Sequence, residues 1–266
     1  QFVASAEAES YQPEVVAAAK DALADVEGRL SMWQTLGDVY RGISLGSVLL
    51  LAAVGLAITF GVMGVINMAH GEMIMIGAYT TFVVQQIFSS VIPSGSPWSL
   101  AIAVPAAFVV AGLVGIVIER CVIRFLYGRP LETLLATWGV SLVLQQAIRS
   151  IFGATNQQVT APDFMSGALE LSNGLVLTYN RLWIILFSLI VVGGIAIVLR
   201  YTAFGLQMRA VTQNRRMAGS VGIRTGYVDA LTFGLGSGIA GIAGVALSQI
   251  SNVSPNLGQT YIIDSF

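Results

Sequence analysis

Residues Leu182 to Leu199 read LWIILFSLIVVGGIAIVL, 18 positions without one acidic or basic side chain. About 20 such residues in a helix cross the hydrocarbon of a bilayer, where each backbone N–H and C=O must be satisfied within the segment. Comparable runs lie on either side of it: Gly42 to Ile66, Met73 to Ile92, Trp98 to Ile118, Leu134 to Phe152 and Ala230 to Ile250. The pattern predicts an all-α fold, a polytopic transmembrane helical bundle preceded by an N-terminal amphipathic helix. Composition agrees, because 55% of the 266 residues are hydrophobic and 10% are charged, against about 25% charged in soluble domains. Within the fourth run, Gln145, Gln146 and Arg149 share one side of a helix, a face for protein or water rather than lipid.

The chain has one cysteine, Cys121, and one histidine, His70. That excludes an internal disulfide framework and any metal or catalytic centre built on several thiols or imidazoles. Cys121 is expected as a buried structural thiol and His70 as a hydrogen-bonded structural residue. No metal and no nucleic-acid partner is expected.

Residues 1–41 are expected to form an acidic tail, distinct from a transmembrane domain over 42–266. In the tail, apolar or small residues recur from Pro13 as Val16, Ala19, Leu23, Val26, Leu30, Trp33, Gly37 and Tyr40, in steps of three and four. That spacing predicts one amphipathic helix lying on the membrane or against the spans. The start, with Ala4-Ser5-Ala6, is similar to the end of a secretory signal peptide. At the other end a further apolar segment opens at Tyr261, and more spans are expected beyond Phe266.

Short cytoplasmic loops hold an excess of Lys and Arg. Arg120, Arg124 and Arg129 follow the third run, and Arg200, Arg209, Arg215, Arg216 and Arg224 follow the fifth. Six alternating spans put both groups on one side, so that side is read as cytoplasmic and the tail as external. In the sixth run Gly236, Ala240 and Gly244, with Gly234 and Gly238, recur at four-residue spacing. Such stripes let helix backbones approach closely in lipid and mark an interior helix.

Two stretches carry mechanism. From Gly61 to Glu72 small and polar residues interrupt the apolar pattern, predicting a broken helix at a pathway or a cytoplasmic turn. A carboxylate such as Glu72 costs about 2.5–3.5 kcal/mol at mid-bilayer, so it belongs at an interface, beside a cation or in a wet cavity. From Gly205 to Gly222 the sequence reads as a helix with Arg209, Gln213, Arg216 and Ser220 on one side, and Val211, Ala218 and Val221 on the other. A cytoplasmic helix of this design suits docking to a soluble partner. The only lysine, Lys20, stands in the tail. The chain therefore has no P-loop lysine, and an ATP-driven process needs a separate ATPase.

Gly61 to Tyr79, GVMGVINMAHGEMIMIGAY, and Gly205 to Gly244, GLQMRAVTQNRRMAGSVGIRTGYVDALTFGLGSGIAGIAG, resemble the permeases of branched-chain amino acid and urea importers. The likeness covers nearly all of residues 42–266. Within the family, Leu134 to Asn156 and Gly244 to Phe266 are most similar to urea permeases. The resemblance implies a multi-pass bacterial inner-membrane subunit in the lipid bilayer, working by alternating access. It implies ATP-binding subunits that hold ATP and Mg, a second permease subunit and a periplasmic solute-binding protein, with no cofactor in this chain. It also places a coupling helix within Gly205 to Gly222, with Arg209, Asn214, Arg215, Arg216, Met217 and Gly222 as its residues. Asn67, Thr137, Ser141 and Gln145 are candidates to line the path, since neutral hydrogen-bonding groups suit urea, and Glu72 is a further candidate as a carboxylate that a wet cavity would accommodate. Two alternatives stay open: an importer of branched-chain amino acids or short amides, and a passive channel, since Asn67-Met68-Ala69 is similar to the half-helix turns of solute pores.

Overall fold

The computed structural model describes residues 13–91, 98–162, 165–172 and 175–265. The signal-peptide-like start lies outside them. The helices are α1 (Pro13–Met63), α2 (His70–Val91), α3 (Trp98–Cys121), α4 (Pro130–Phe152), α5 (Tyr179–Tyr201), α6 (Ala203–Gln213), α7 (Arg215–Ser220), α8 (Thr225–Ser248) and α9 (Leu257–Ser265). Between α4 and α5 lies a hairpin of β1 (Ala168–Ser172) and β2 (Leu175–Thr178), antiparallel with Leu169 opposite Leu177.

The described residues of each of the six apolar runs lie mainly in a separate long helix, so the bundle is the polytopic all-α architecture the sequence predicts. Four stretches are long and apolar enough to cross a membrane: Ala17–Met63, Trp98–Phe125, Tyr179–Tyr201 and Thr225–Ser248. The helices α2 and α4 fall below that mark for a physical reason. Residues 70–79 of α2 are buried throughout, and α4 turns polar side chains inward, so neither needs an apolar surface all round.

The tail helix and the first span are one element, because α1 runs 51 residues without a break at residue 41. At 1.5 Å per residue it is about 76 Å long, more than twice the hydrocarbon thickness. The expected apolar stripe is only partly covered: Trp33, Gly37 and Tyr40 are half-buried, whereas Leu23, Val26 and Leu30 are exposed. The hairpin accounts for the covered part, with the Tyr40 hydroxyl donating to the Thr178 carbonyl at 2.8 Å.

Helix α8 is the axis of the bundle, and nearly all of its residues are buried. Its glycines meet other backbones. A Cβ on Gly77 of α2 would stand 2.0 Å from the Gly241 carbonyl oxygen, and one on Gly55 of α1 would stand 2.6 Å from that of Gly236. A Cβ on Gly112 of α3 would come within 3.1 Å of the Gly234 carbonyl. No larger residue fits at the first two without moving a helix, which is the interior packing that the small-residue spacing predicts.

A candidate translocation seam and an inner docking end

The predicted break after Gly61 is real. Helix α1 ends at Met63, Gly64 takes a φ of +64°, and α2 restarts at His70. In the intervening turn Asn67 Oδ1 accepts the Ala69 N–H at 3.0 Å, the local bond by which Asn favours turns. His70 contacts the Ala52 carbonyl through Nε2 at 3.0 Å and is fully buried, in the structural role expected of it.

Helix α4 has an inverted surface for a membrane helix. Its buried residues are Thr133, Thr137, Ser141 and Gln145, spaced by four, while Leu131, Leu135, Trp138 and Leu142 are exposed. The buried stripe faces α2 and its preceding turn. Thr137 Oγ1 accepts from the Met68 N–H at 3.1 Å. Ser141 and Gln145 both donate to Glu72 Oε1, at 2.9 and 2.7 Å. The structure thus gathers Asn67, Glu72, Thr137, Ser141 and Gln145, all buried, into one polar seam. Glu72, in the first turn of α2, is held by neutral side chains of α4 and not by an ion pair. Its Oε2 and the Asn67 amide nitrogen have no hydrogen-bond partner among the described residues. Arg149, one turn beyond Gln145, is half-buried and bonds Asn256. Gln146 does not share this face and is exposed, because it lies about 100° round the helix from Gln145.

The second group of expected residues is arranged differently from a single two-faced helix. The chain breaks at Asn214 into α6 and α7, because Asn214 leaves the helical region at φ −154° and accepts the Met217 N–H at 3.0 Å as N-cap. Helix α7 then closes at Gly222, whose φ is +97°. Its N–H donates to the Gly219 carbonyl at 3.1 Å and that of Ile223 to Ala218 at 3.0 Å, the paired bonds of a glycine-terminated helix end. Met208, Val211 and Ala218 face the bundle, but Val221, expected beside them, is exposed. The break rotates α7 relative to α6, so a face drawn through both does not exist. Arg209 donates to the Leu199 carbonyl, tying α6 to the end of α5. Arg216 and Met217 are exposed, the latter at 62%.

Arg215 is also exposed, with 41% of its side chain open, but its guanidinium reaches in to a buried partner. It forms a two-pronged ion pair with Asp229, a wholly buried carboxylate in the first turns of α8. Its guanidinium carbon lies 4.8 Å from the centre of the Tyr127 ring. The Tyr127 hydroxyl donates to Glu119 Oε1 at 3.2 Å, and Arg120 stands 3.5 Å from Glu119 Oε2. Burial pushes the Tyr127 hydroxyl well above its ordinary pKa, and the charges of Asp229 and Glu119 push it further. Asp229, Glu119 and Tyr127 escape a reading of the sequence, although a lone carboxylate entering an apolar run is a sign that a cation must meet it. Cys121, beside this cluster, is exposed rather than buried, because it is the last residue of α3 and turns away from the bundle.

These contacts put both arginine-bearing connections at one end of the bundle. Tyr40, Thr178, Arg181 and the Gln157–Val253 bridge mark the other end. Among the described residues no three His, Cys, Asp or Glu side chains gather where they could hold a metal ion.

The family of branched-chain amino acid transport system permease components matches residues 39–266. BraD, the high-affinity branched-chain amino acid transport system permease protein of Pseudomonas aeruginosa, is 28% identical over 85% of this chain and 75% of its own length. LivH, the protein of the same description in Escherichia coli K12, is 32% identical over 84% of this chain and 74% of its own. A probable branched-chain amino acid transport permease protein LivH of Methanocaldococcus jannaschii is 26% identical over 84% of this chain and 70% of its own. No solved structure matches. With the bundle, the break between α1 and α2 and the arginine-bearing helices at one end in place, the chain belongs to the branched-chain amino acid transport permease family, as a multi-pass membrane subunit that is not an enzyme.

Proposed function

We propose that this chain is the permease subunit of an ATP-driven importer for branched-chain amino acids, and that the seam between α2 and α4 lines its path. The observation that carries the substrate is Glu72, buried, with Oε1 held by Ser141 and Gln145 and Oε2 without a partner among the described residues. A zwitterion brings an ammonium group that complements such a carboxylate, and a carboxylate that suits Arg149, one turn along α4 from Gln145. Urea carries neither charge and gains nothing from either. The relatives named above are also branched-chain amino acid permeases, whereas urea rests on the wording of Leu134 to Asn156 and Gly244 to Phe266. The substrate assignment therefore moves from urea to the amino acids.

The energy would come from hydrolysis of ATP, held with Mg by partner subunits docked at α6 and α7, where Arg216 and Met217 are the outward contacts and Asn214 and Gly222 fix the ends of α7. A second permease subunit and a periplasmic binding protein complete the assembly. Solute enters from the side of α1's projecting half and leaves at the arginine-rich end, as the bundle alternates access to the seam. The tail over residues 1–41 and the permease domain over 42–266 remain functional divisions of a chain whose first helix joins them.

The test is uptake of labelled leucine into proteoliposomes holding the complete complex. Competition should follow leucine and isoleucine, fail with urea, and fail with isopentylamine and 4-methylpentanoate, which each lack one charge. Competition by urea, or equal uptake without ATP, would overturn the assignment, the latter in favour of a channel.

A further inference from the structure

Asp229 is an expensive residue to keep in α8. A wholly buried carboxylate that loses its ion-pair partner is strongly destabilising, so Arg215 cannot leave it without a large penalty. Two parallel bonds from one guanidinium fix orientation as well as separation, and the Tyr127 ring braces the same group from the side. The start of α7 is thereby held to α8 and, through Tyr127 and Glu119, to the end of α3. Beyond Asp229, α8 meets α1, α2 and α3 through glycines with no room for slack. A close-packed interior passes displacement on instead of absorbing it. Arg216, the next residue, faces outward.

We propose that Arg215 is a positioning residue that conducts motion of α6 and α7 into α8 through Asp229, its guanidinium engaged by that carboxylate and not by the ATP-binding subunit. This rests on the docking reading above and divides the two adjacent arginines: Arg216 grips the partner, and Arg215 transmits what the partner does.

The experiment uses the complete complex in proteoliposomes and compares the wild type with two paired variants. One is the neutral pair Arg215→Gln with Asp229→Asn, which leaves no unmatched buried charge. The other is the exchanged pair Arg215→Asp with Asp229→Arg. Three quantities are read: ATP hydrolysed, leucine taken up per ATP, and the ATP-dependent change in maleimide labelling of the exposed Cys121. The neutral pair should hydrolyse ATP and keep its partner, while uptake per ATP falls about three- to thirtyfold and the labelling response fades. The exchanged pair should recover both.

A purely structural ion pair predicts wild-type uptake per ATP in the neutral pair, and that result would overturn the proposal. Loss of the ATP-binding subunit when Arg215 alone is changed to Gln, but not when Asp229 alone is changed to Asn, would equally overturn it. Should the neutral pair fail to assemble, the exchanged pair decides: restored uptake per ATP supports the strut, and uncoupled hydrolysis contradicts it. A wild-type complex that takes up no leucine would count against the substrate, and the labelling response, which needs no substrate, would still test Arg215.

Discussion

Helices α8 and α4 both bury a stripe of residues spaced by four, yet the two stripes are opposites. That of α8 is glycine and alanine, and its neighbours' backbones lie against it. That of α4 is Thr133, Thr137, Ser141 and Gln145, and it meets α2 through side-chain hydrogen bonds. The first contact is stabilised by dispersion between surfaces that fit in one way. The second is a set of bonds that water or a solute can replace one at a time, so it can open without a helix being torn from the bundle. One molecule thus has a stiff axis and an exchangeable seam side by side, with α2 touching both.

Substitutions that separate the two stripes should differ steeply in effect. Gly77→Val drives a side chain into the Gly241 backbone, where even a Cβ would stand 2.0 Å from the carbonyl oxygen. It should abolish recovery of folded protein, seen as loss of the monodisperse species in detergent. A well-behaved Gly77→Val protein would show that the axis has more slack than its geometry allows. Glu72→Gln should leave folding intact, because the amide still accepts from Ser141 or Gln145, but should raise the leucine KM about tenfold or more as the ammonium loses its counter-charge. Arg216→Glu should weaken co-purification of the ATP-binding subunit without moving the melting midpoint of the permease. Thr137→Val removes the acceptor for the Met68 N–H and should cost about 1 kcal/mol, a small fall in thermal midpoint. At the bottom of the scale, Gly193→Ala on α5 meets nothing within 4 Å and should change neither stability nor uptake.

The same contrast explains what a reader of the sequence can see. Gly236, Ala240 and Gly244 announce a packed helix because small residues in lipid have one common use, and the structure uses them so. Thr137, Ser141 and Gln145 are legible as an inward face because polar residues four apart have nowhere else to go in a membrane. The two arginines at 215 and 216 look alike in sequence and both are exposed, yet Arg215 is paired with a buried carboxylate. Only the fold reveals Asp229 beneath one of them. Asn214 is a strong N-cap residue and Gly222 a strong helix end, so the break between α6 and α7 was written in local chemistry that the reading of one long face overrode. Cys121 departs from the usual burial of free thiols because it stands at a helix end beside Arg120.

The most direct test is the ratio of leucine uptake to ATP hydrolysis in the reconstituted complex, measured for the wild type and for Glu72→Gln over a range of leucine concentrations. The account predicts ATP-dependent uptake that urea does not inhibit, and a Glu72→Gln variant needing far more leucine to reach half-maximal rate while its hydrolysis persists. Identical leucine dependence in the two proteins would contradict it, for then the buried carboxylate between α2 and α4 is no part of the route.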